Sequence, residues 1–181
     1  MWFTKFIFHK VMGWKIQGSF DPEVKKSVVL VVPHTHWHDF TVGAYARRIL
    51  KTKIHFVGKK ELFKWPMGAY FRWMGGYPLD RTSGQNKVEA IAAIFDKHEE
   101  FRMAIAPEGT RKKVDSWKTG YFYIAMAAKV PIIAVAFDYK TKTVVVHPPY
   151  TLTGDLESDT AALMAKFRGV VGKIPEYTQD F

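Results

Sequence analysis

The sequence predicts an α/β fold, a single domain in which a mostly parallel central sheet is flanked by layers of helices. Short apolar runs of strand length alternate along the chain with longer segments of helical periodicity, an order typical of such sheets. The run over residues 27–32 is continuously apolar after its first serine, as expected of a central strand covered on both faces. A chain of 181 residues can bury one substantial core, so we expect residues 1–181 to form one domain.

The predicted elements begin with an amphipathic helix within residues 1–16. Phe3, Ile7, Val11 and Trp14 recur there at helical spacing, and Lys5 and Lys15 lie off that stripe. Such a helix either packs on its own domain or contacts a membrane surface. The other predicted helices span residues 39–51, 61–74 with a break before Pro66, 85–98, 120–129 and 158–171, and the predicted strands span 27–32, 54–57, 102–106, 132–137 and 143–147.

Charge and cysteine content narrow the classes of function. Lysines and arginines number 27 against 17 aspartates and glutamates, and the resulting net charge of +10 favours an anionic partner. That partner is a nucleic acid, an acidic membrane or a phosphorylated substrate. The absence of cysteine excludes disulfides, cysteine-ligated zinc and a cysteine nucleophile. No apolar stretch reaches the roughly 20 residues of a membrane span, so none is predicted.

Three polar clusters follow predicted strands or their short extensions. Ligand sites of parallel α/β sheets gather at the carboxyl ends of the strands, so these clusters are the candidates for a functional site. They are residues 33–39 (PHTHWHD), 75–81 (GGYPLDR) and 106–111 (APEGTR).

The first cluster contains a histidine and an aspartate five residues apart. On one continuous helix His34 and Asp39 would point about 140° apart, so their pairing requires a turn, which Pro33 favours by ending the strand. A carboxylate that accepts a hydrogen bond from one ring nitrogen leaves the other free to act as a general base. A solvated loop without such a role is the alternative at this point.

The same segment is also compatible with a metal site. His34, His36 and His38 alternate ahead of Asp39, and imidazoles are good zinc ligands. The segment resembles the zinc-binding segment of metallo-β-lactamase-like hydrolases, although that family places an Asp before the last His. A zinc-dependent hydrolase using the three histidines is therefore an alternative hypothesis.

The other two clusters each end in an arginine. Arg111 follows Gly109, a residue type that lets a ligand approach the backbone closely, and guanidinium groups suit phosphate. With Arg81 at the end of the second cluster, two arginines from separate loops could clamp one phosphate. For either arginine alone, a surface salt bridge is the alternative.

Together these blocks resemble the glycerophosphate and lysophosphatidate acyltransferase family, of the 1-acylglycerol-3-phosphate acyltransferase type. That family has four ordered blocks: a His, four residues and an Asp; a Gly-rich turn ending in Arg; Pro-Glu-Gly-Thr-Arg; and an apolar Val-Pro-Ile strand. They match His34 with Asp39, residues 75–81, residues 107–111 without change, and residues 130–136. The first block departs from the family at two positions. Family members often carry Asn where this chain has Pro33, and Ser where it has His36.

The resemblance implies a glycerol-3-phosphate acyltransferase-like fold and an O-acyltransferase. The reaction would move a fatty acyl group from acyl-CoA or acyl-carrier protein to a hydroxyl of a glycerophospholipid precursor such as 1-acylglycerol 3-phosphate. His34 is implied as the general base and Asp39 as the group that orients it. No cofactor or metal is implied beyond the thioester co-substrate. The residues implied to bind the acceptor are Arg81, Glu108, Gly109, Thr110 and Arg111.

Partners and location follow from the same resemblance. We expect an acyl thioester donor, a lysophospholipid or glycerophosphate acceptor, and an acidic membrane surface. The chain is expected to be cytoplasmic and peripheral on the inner face of the membrane. No nucleic-acid motif is recognisable, so no nucleic-acid partner is expected. A non-catalytic module that binds nucleic acid or membrane through its basic surface is the third hypothesis.

Overall fold

A computed structural model describes residues 2–79 and 87–180, apart from the side chains of Lys59, Leu62 and Leu79. The helices in this part are α1 (Trp2–Phe6), continued by a π-helical turn (Ile7–Val11), α2 (His38–Ile49), α3 (Gly68–Trp73), α4 (Lys87–Asp96), α5 (Gly120–Ala128) and α6 (Leu156–Met164). The strands are β1 (Lys15–Gln17), β2 (Lys26–Val32), β3 (His55–Lys59), β4 (Gly76–Leu79), β5 (Phe101–Ile105), β6 (Ile132–Asp138) and β7 (Thr143–Val146).

The strands form one sheet in the order β1-β7-β6-β2-β5-β3-β4. Neighbouring strands pair in parallel, except that β6 and β7 are antiparallel. This arrangement confirms the predicted fold class, an α/β layered fold with a mostly parallel sheet.

Alternate residues of the central strands face two separate cores. On one face Val28 and Leu30 pack in the cluster that includes Phe95 of α4 and Tyr121 of α5. On the other face Val29 packs in the cluster that includes residues of α2 and Phe8. Burial on both faces explains why β2 reads as a continuous apolar run rather than an alternating one.

The predicted N-terminal helix is wrong in length and in orientation. The helical segment ends at Val11, and the residues after Trp14 form β1, which pairs with β7. Within the helical segment the buried side chains are those of Thr4 and Phe8. Of the predicted apolar stripe, Trp14 is buried beyond the end of that segment, whereas Phe3 and Val11 are 66% and 68% exposed. The segment presents its other face to the domain because the Phe8 ring stacks on Tyr45 of α2.

Further differences from the prediction include one strand and the ends of two helices. The strand β4 lies inside the second polar cluster and was not predicted. The last helix was predicted to reach residue 171, but α6 gives way to a 3-10 turn (Ala165–Phe167) that ends before Gly169, whose φ is +74°. The helix predicted over 85–98 ends at Asp96 in α4.

Candidate active site

Three loops meet at one edge of the sheet. β2 pairs in parallel with β5 on one side and with β6 on the other, so the carboxyl ends of all three strands lie together. The loop after β2 carries His34, the loop after β5 carries Glu108 and Arg111, and Tyr139 follows β6. Asp39 stands in the first turn of α2, where the helix dipole favours a negative charge.

The side chains of His34 and Asp39 are in contact across the turn that joins β2 to α2. The distance from His34 Nδ1 to Asp39 Oδ2 is 3.1 Å, and their side chains are 26% and 1% exposed. The backbone N–H of His36 donates to the same oxygen at 2.9 Å, and the Tyr139 hydroxyl donates to Asp39 Oδ1 at 2.7 Å. Burial raises the pKa of Asp39, but the hydrogen bonds from these three residues outweigh it and the pKa is lowered. Asp39 is therefore ionised at neutral pH.

Glu108 fixes the backbone of His34 from the neighbouring loop. Its two carboxylate oxygens accept the backbone N–H of His34 at 3.2 and 3.1 Å, and the residue is buried. Burial raises the pKa of Glu108 to about 7, because the hydrogen bond from His34 only partly offsets the loss of solvation and Asp39 lies nearby. The site thus holds two carboxyl groups with opposite shifts.

Arg111 faces the second ring nitrogen of His34. Its Nε donates to His34 Nε2 at 3.3 Å, so Nε2 is the acceptor and Nδ1 carries the proton that Asp39 accepts. Gly109 and Thr110 lie exposed in the same loop. Gly109 has a φ of +65°, a left-handed conformation that glycine adopts without the steric strain of a side chain.

The residues predicted to bind the acceptor differ in their exposure to solvent. Arg111 is exposed beside His34 and Thr110 is exposed in the same loop, whereas the buried Glu108 carboxylate points at the His34 backbone. Arg81 lies outside the described residues. The acceptor-binding roles of all five residues therefore stay predictions.

The three alternating histidines do not converge on a common point. His36 Nδ1 accepts the backbone N–H of His38, and His38 Nδ1 lies 3.0 Å from Lys173 Nζ. Among the described residues no group of three or more His, Asp or Glu side chains is arranged to hold a metal ion. The zinc-hydrolase alternative is not supported.

A mostly apolar cavity of about 520 Å³ opens beside the catalytic candidates. It lies between α2 and the sheet, and His34, Asp39 and Arg111 line its polar end. Apolar side chains line most of the remainder, among them Val31, Phe56, Ile105, Val135 and Leu50, and Arg47 and His55 complete the lining. A cavity of this size and polarity is typical of small-molecule sites, which run from about 300 to 1,000 Å³.

Two supporting contacts of the site were not predicted from the sequence. Tyr139 binds Asp39, and the backbone N–H of Ile174 donates to the hydroxyl of the buried Thr35 at 3.2 Å. Tyr139 directly follows the strand that ends at the same sheet edge, and that position was a signal for its placement. The contact of the C-terminal segment with Thr35 left no comparable signal.

The raised pKa of Glu108 predicts a pH-dependent stability. The folded state binds the proton more tightly than the unfolded state, so the free energy of unfolding should fall as pH rises from about 4.5 to about 7. Glu108→Gln keeps an oxygen for the His34 N–H and removes the titration. Urea unfolding of both proteins at several pH values should show a variant-minus-parent difference that grows in favour of the variant across this window. A difference independent of pH would contradict the assignment.

The chain is similar in sequence to known acyltransferases. Residues 14–138 match the family model described as Acyltransferase. The chain is 29% identical over 130 residues to a 1-acyl-sn-glycerol-3-phosphate acyltransferase of Bacillus subtilis (strain 168), covering 69% of this chain and 62% of that protein. It is 31% identical over 121 residues to the protein of the same name from Escherichia coli (strain K12), covering 64% and 48%. The chain thus spans about half to three fifths of the length of these relatives.

A solved structure shares the fold. The crystal structure of the 1-acyl-sn-glycerophosphate (LPA) acyltransferase PlsC from Thermotoga maritima superposes with a TM-score of 0.63 at 19% identity, covering 93% of this chain and 75% of that one. Because the family model covers well over half of the residues, and includes His34, Asp39 and residues 107–111, the chain belongs to the acyltransferase family.

Proposed function

We propose that the chain transfers a fatty acyl group from acyl-CoA or acyl-carrier protein to the free hydroxyl of 1-acylglycerol 3-phosphate. One observation carries the proposal: a histidine held by a buried aspartate presents its second nitrogen beside a mostly apolar cavity. The cavity suits the acyl chain, and the histidine suits the proton transfer. The names of the relatives support this choice of acceptor.

The geometry supports a direct transfer with His34 as the general base. Nε2 of His34 takes the proton of the acceptor hydroxyl while the hydroxyl oxygen attacks the thioester carbonyl carbon. Asp39 stabilises the imidazolium that forms. When the tetrahedral intermediate collapses, the carbon–sulfur bond breaks. The His34 imidazolium gives its proton to the departing sulfur, which leaves as the thiol. An ester and a free thiol result, and no acyl-enzyme is required.

Arg111 gives the acceptor a charged contact at the base. Its guanidinium lies against His34 Nε2, so a phosphorylated acceptor that approaches the base meets it first. An exposed guanidinium binds phosphate with two parallel hydrogen bonds more readily than it stays on a neutral imidazole. Movement of Arg111 from His34 to the acceptor phosphate would free Nε2 for the hydroxyl.

The cavity orients the acyl chain away from the base. α2 leads from the carboxyl edge of the sheet, where His34 lies, back towards the opposite edge at Leu50. A chain whose thioester lies at His34 would therefore run beneath α2, with its far end near Leu50 and Ile54. The length of this path sets the longest acyl group that fits.

We further propose that the chain works at an anionic membrane surface. No helix within residues 2–79 and 87–180 is long and apolar enough to cross a bilayer. Near the cavity wall, Trp65 and Trp73 are 93% and 74% exposed, with Lys64 and Arg72 beside them in sequence. Exposed tryptophans flanked by basic residues are typical of contacts with lipid headgroups. The N-terminal segment adds Trp2 and Phe3, both largely exposed.

Substitution of the base tests the reaction. His34→Ala should lower kcat by about a hundredfold or more, the usual loss for a general base. Asp39→Ala should lose a similar factor, and both proteins should keep the far-UV circular dichroism of the parent. The measurement is thiol release from palmitoyl-CoA that depends on added 1-acylglycerol 3-phosphate.

His38→Ala is the matched control, because its ring contacts neither the base nor the apolar cavity. It should retain most of the activity. Equal losses in the His34 and His38 variants would contradict the assignment of His34 as the base. Full activity of His34→Ala would refute the mechanism.

Filling the far end of the cavity tests the path of the acyl chain. Leu50→Trp adds bulk at the end opposite His34, so kcat/KM for donors with 16 or 18 carbons should fall relative to donors with 10 or 12. Arg48→Trp adds the same bulk on an exposed face of α2 and should leave the preference unchanged. An unchanged chain-length profile in a folded Leu50→Trp protein would place the chain elsewhere.

Vesicle binding tests the membrane surface. Trp65→Ser with Trp73→Ser should reduce co-sedimentation with phosphatidylglycerol vesicles several-fold, and the parent should bind phosphatidylcholine vesicles more weakly than phosphatidylglycerol vesicles. Tyr123→Ser, which removes a half-exposed aromatic side chain from α5 on the opposite face of the sheet, is the control. Undiminished binding of the double variant would exclude this surface and leave the N-terminal segment, tested by Trp2→Ser with Phe3→Ser.

A further inference from the structure

Tyr139 contacts the catalytic pair although it lies outside the four family blocks. It follows β6 by one residue, and its hydroxyl donates to Asp39 Oδ1 at 2.7 Å across a separation of 100 residues. The other oxygen of the carboxylate, Oδ2, receives His34 Nδ1 and the backbone N–H of His36. Each oxygen of Asp39 therefore has its own set of donors.

We propose that Tyr139 is a positioning residue for acyl transfer, which holds the Asp39 carboxylate in the one orientation that aligns the His34 base. This inference rests on the proposed function of His34 and Asp39. Without the hydroxyl, Oδ1 of this almost fully buried carboxylate would have no donor among the residues that the structure describes, which is costly. The carboxylate would then rotate about its Cβ–Cγ bond to share its remaining donors, and the imidazole would lose its fixed orientation.

The Tyr139 ring is held in place from several sides, as a positioning role requires. Its backbone N–H donates to the carbonyl of Val171 at 2.8 Å. The ring meets Trp14 edge-on with centroids 4.8 Å apart, and Lys173 Nζ lies 5.9 Å from its centroid. These contacts do not involve the hydroxyl, so they survive its removal.

The hydroxyl is a donor throughout the working pH range. Burial first, and then the hydrogen bond to Asp39 and its negative charge, raise the pKa of Tyr139. The phenol thus stays protonated beside the ionised Asp39. A protonated hydroxyl has one proton to give, and the geometry directs it to Oδ1.

Tyr139→Phe removes this one hydrogen bond and keeps the ring. We expect kcat to fall by about tenfold, the usual cost of a hydrogen bond to a charged group. KM for palmitoyl-CoA should stay within twofold, because Tyr139 is absent from the described residues that line the apolar cavity. An unchanged kcat, or a loss confined to KM, would overturn the inference.

Tyr150→Phe is a matched control for the loss of a tyrosine–aspartate bond. The Tyr150 hydroxyl donates to Asp159 Oδ1 at 2.8 Å, at the start of α6 and away from the candidate site. This variant should keep the parent kcat, even if it loses comparable stability. A tenfold loss of kcat in both variants would mean that the effect is a general loss of stability, and it would overturn the positioning role.

A double-mutant cycle separates action through Asp39 from a structural effect. If Tyr139 acts only by orienting Asp39, then Tyr139→Phe should lower kcat no further in a protein that already carries Asp39→Ala. A second tenfold loss in the double variant would contradict the inference.

A spectroscopic readout keeps the test independent of turnover. In protein labelled with ¹⁵N-histidine, Tyr139→Phe should move the Nδ1–H resonance of His34, which Asp39 accepts, whereas Tyr150→Phe should not. An unmoved resonance would overturn the positioning role whatever the activity. If the resonance moves but His34→Ala remains fully active, the proposed catalytic role has failed and the contact geometry stands.

Discussion

The parallel pairing of β2 with both β5 and β6 is the constraint on which the site depends. It places the ends of three strands at one edge, so residues from positions 34, 108 and 139 meet although they are far apart in sequence. The central strands are buried on both faces, and their side chains pack into two cores. The sheet is therefore a rigid scaffold, and the candidate catalytic residues lie on the loops at its edge.

The two buried carboxyl groups of the site have pKa values shifted in opposite directions. Asp39 has three donors, which keep its pKa low and its charge permanent beside the imidazole. Among the described residues, the backbone N–H of His34 is the one donor to both oxygens of Glu108, and burial raises the pKa of Glu108 to about 7. The number of donors decides the difference, because both side chains are buried. Near neutral pH the second charge is only partly present, which limits the repulsion between the two groups.

The sequence predicted the class of fold and the neighbourhood of the site because both follow from local patterns. Apolar runs mark the strands, and short motifs mark the loops at their ends. The prediction failed where tertiary packing, and not the local pattern, decides which side chains are buried. In the N-terminal segment Phe8 is buried against Tyr45, whereas Phe3 of the predicted stripe is exposed. Tyr139 was not predicted because a tyrosine after a strand is ordinary until the sheet brings it to Asp39. The buried orientation of Glu108 likewise depends on the pairing of β2 with β5.

The central claim is that one site combines the His34 base with the acyl cavity beneath α2. The most direct measurement is a crystal structure with a 2-oxoalkyl-CoA, an analogue that keeps the carbonyl but cannot be cleaved. We expect the carbonyl carbon to lie within about 6 Å of His34 Nε2, with room for one hydroxyl between them, and the alkyl chain to run towards Leu50. A carbonyl more than about 10 Å from His34, or a chain lying outside the cavity, would contradict this claim.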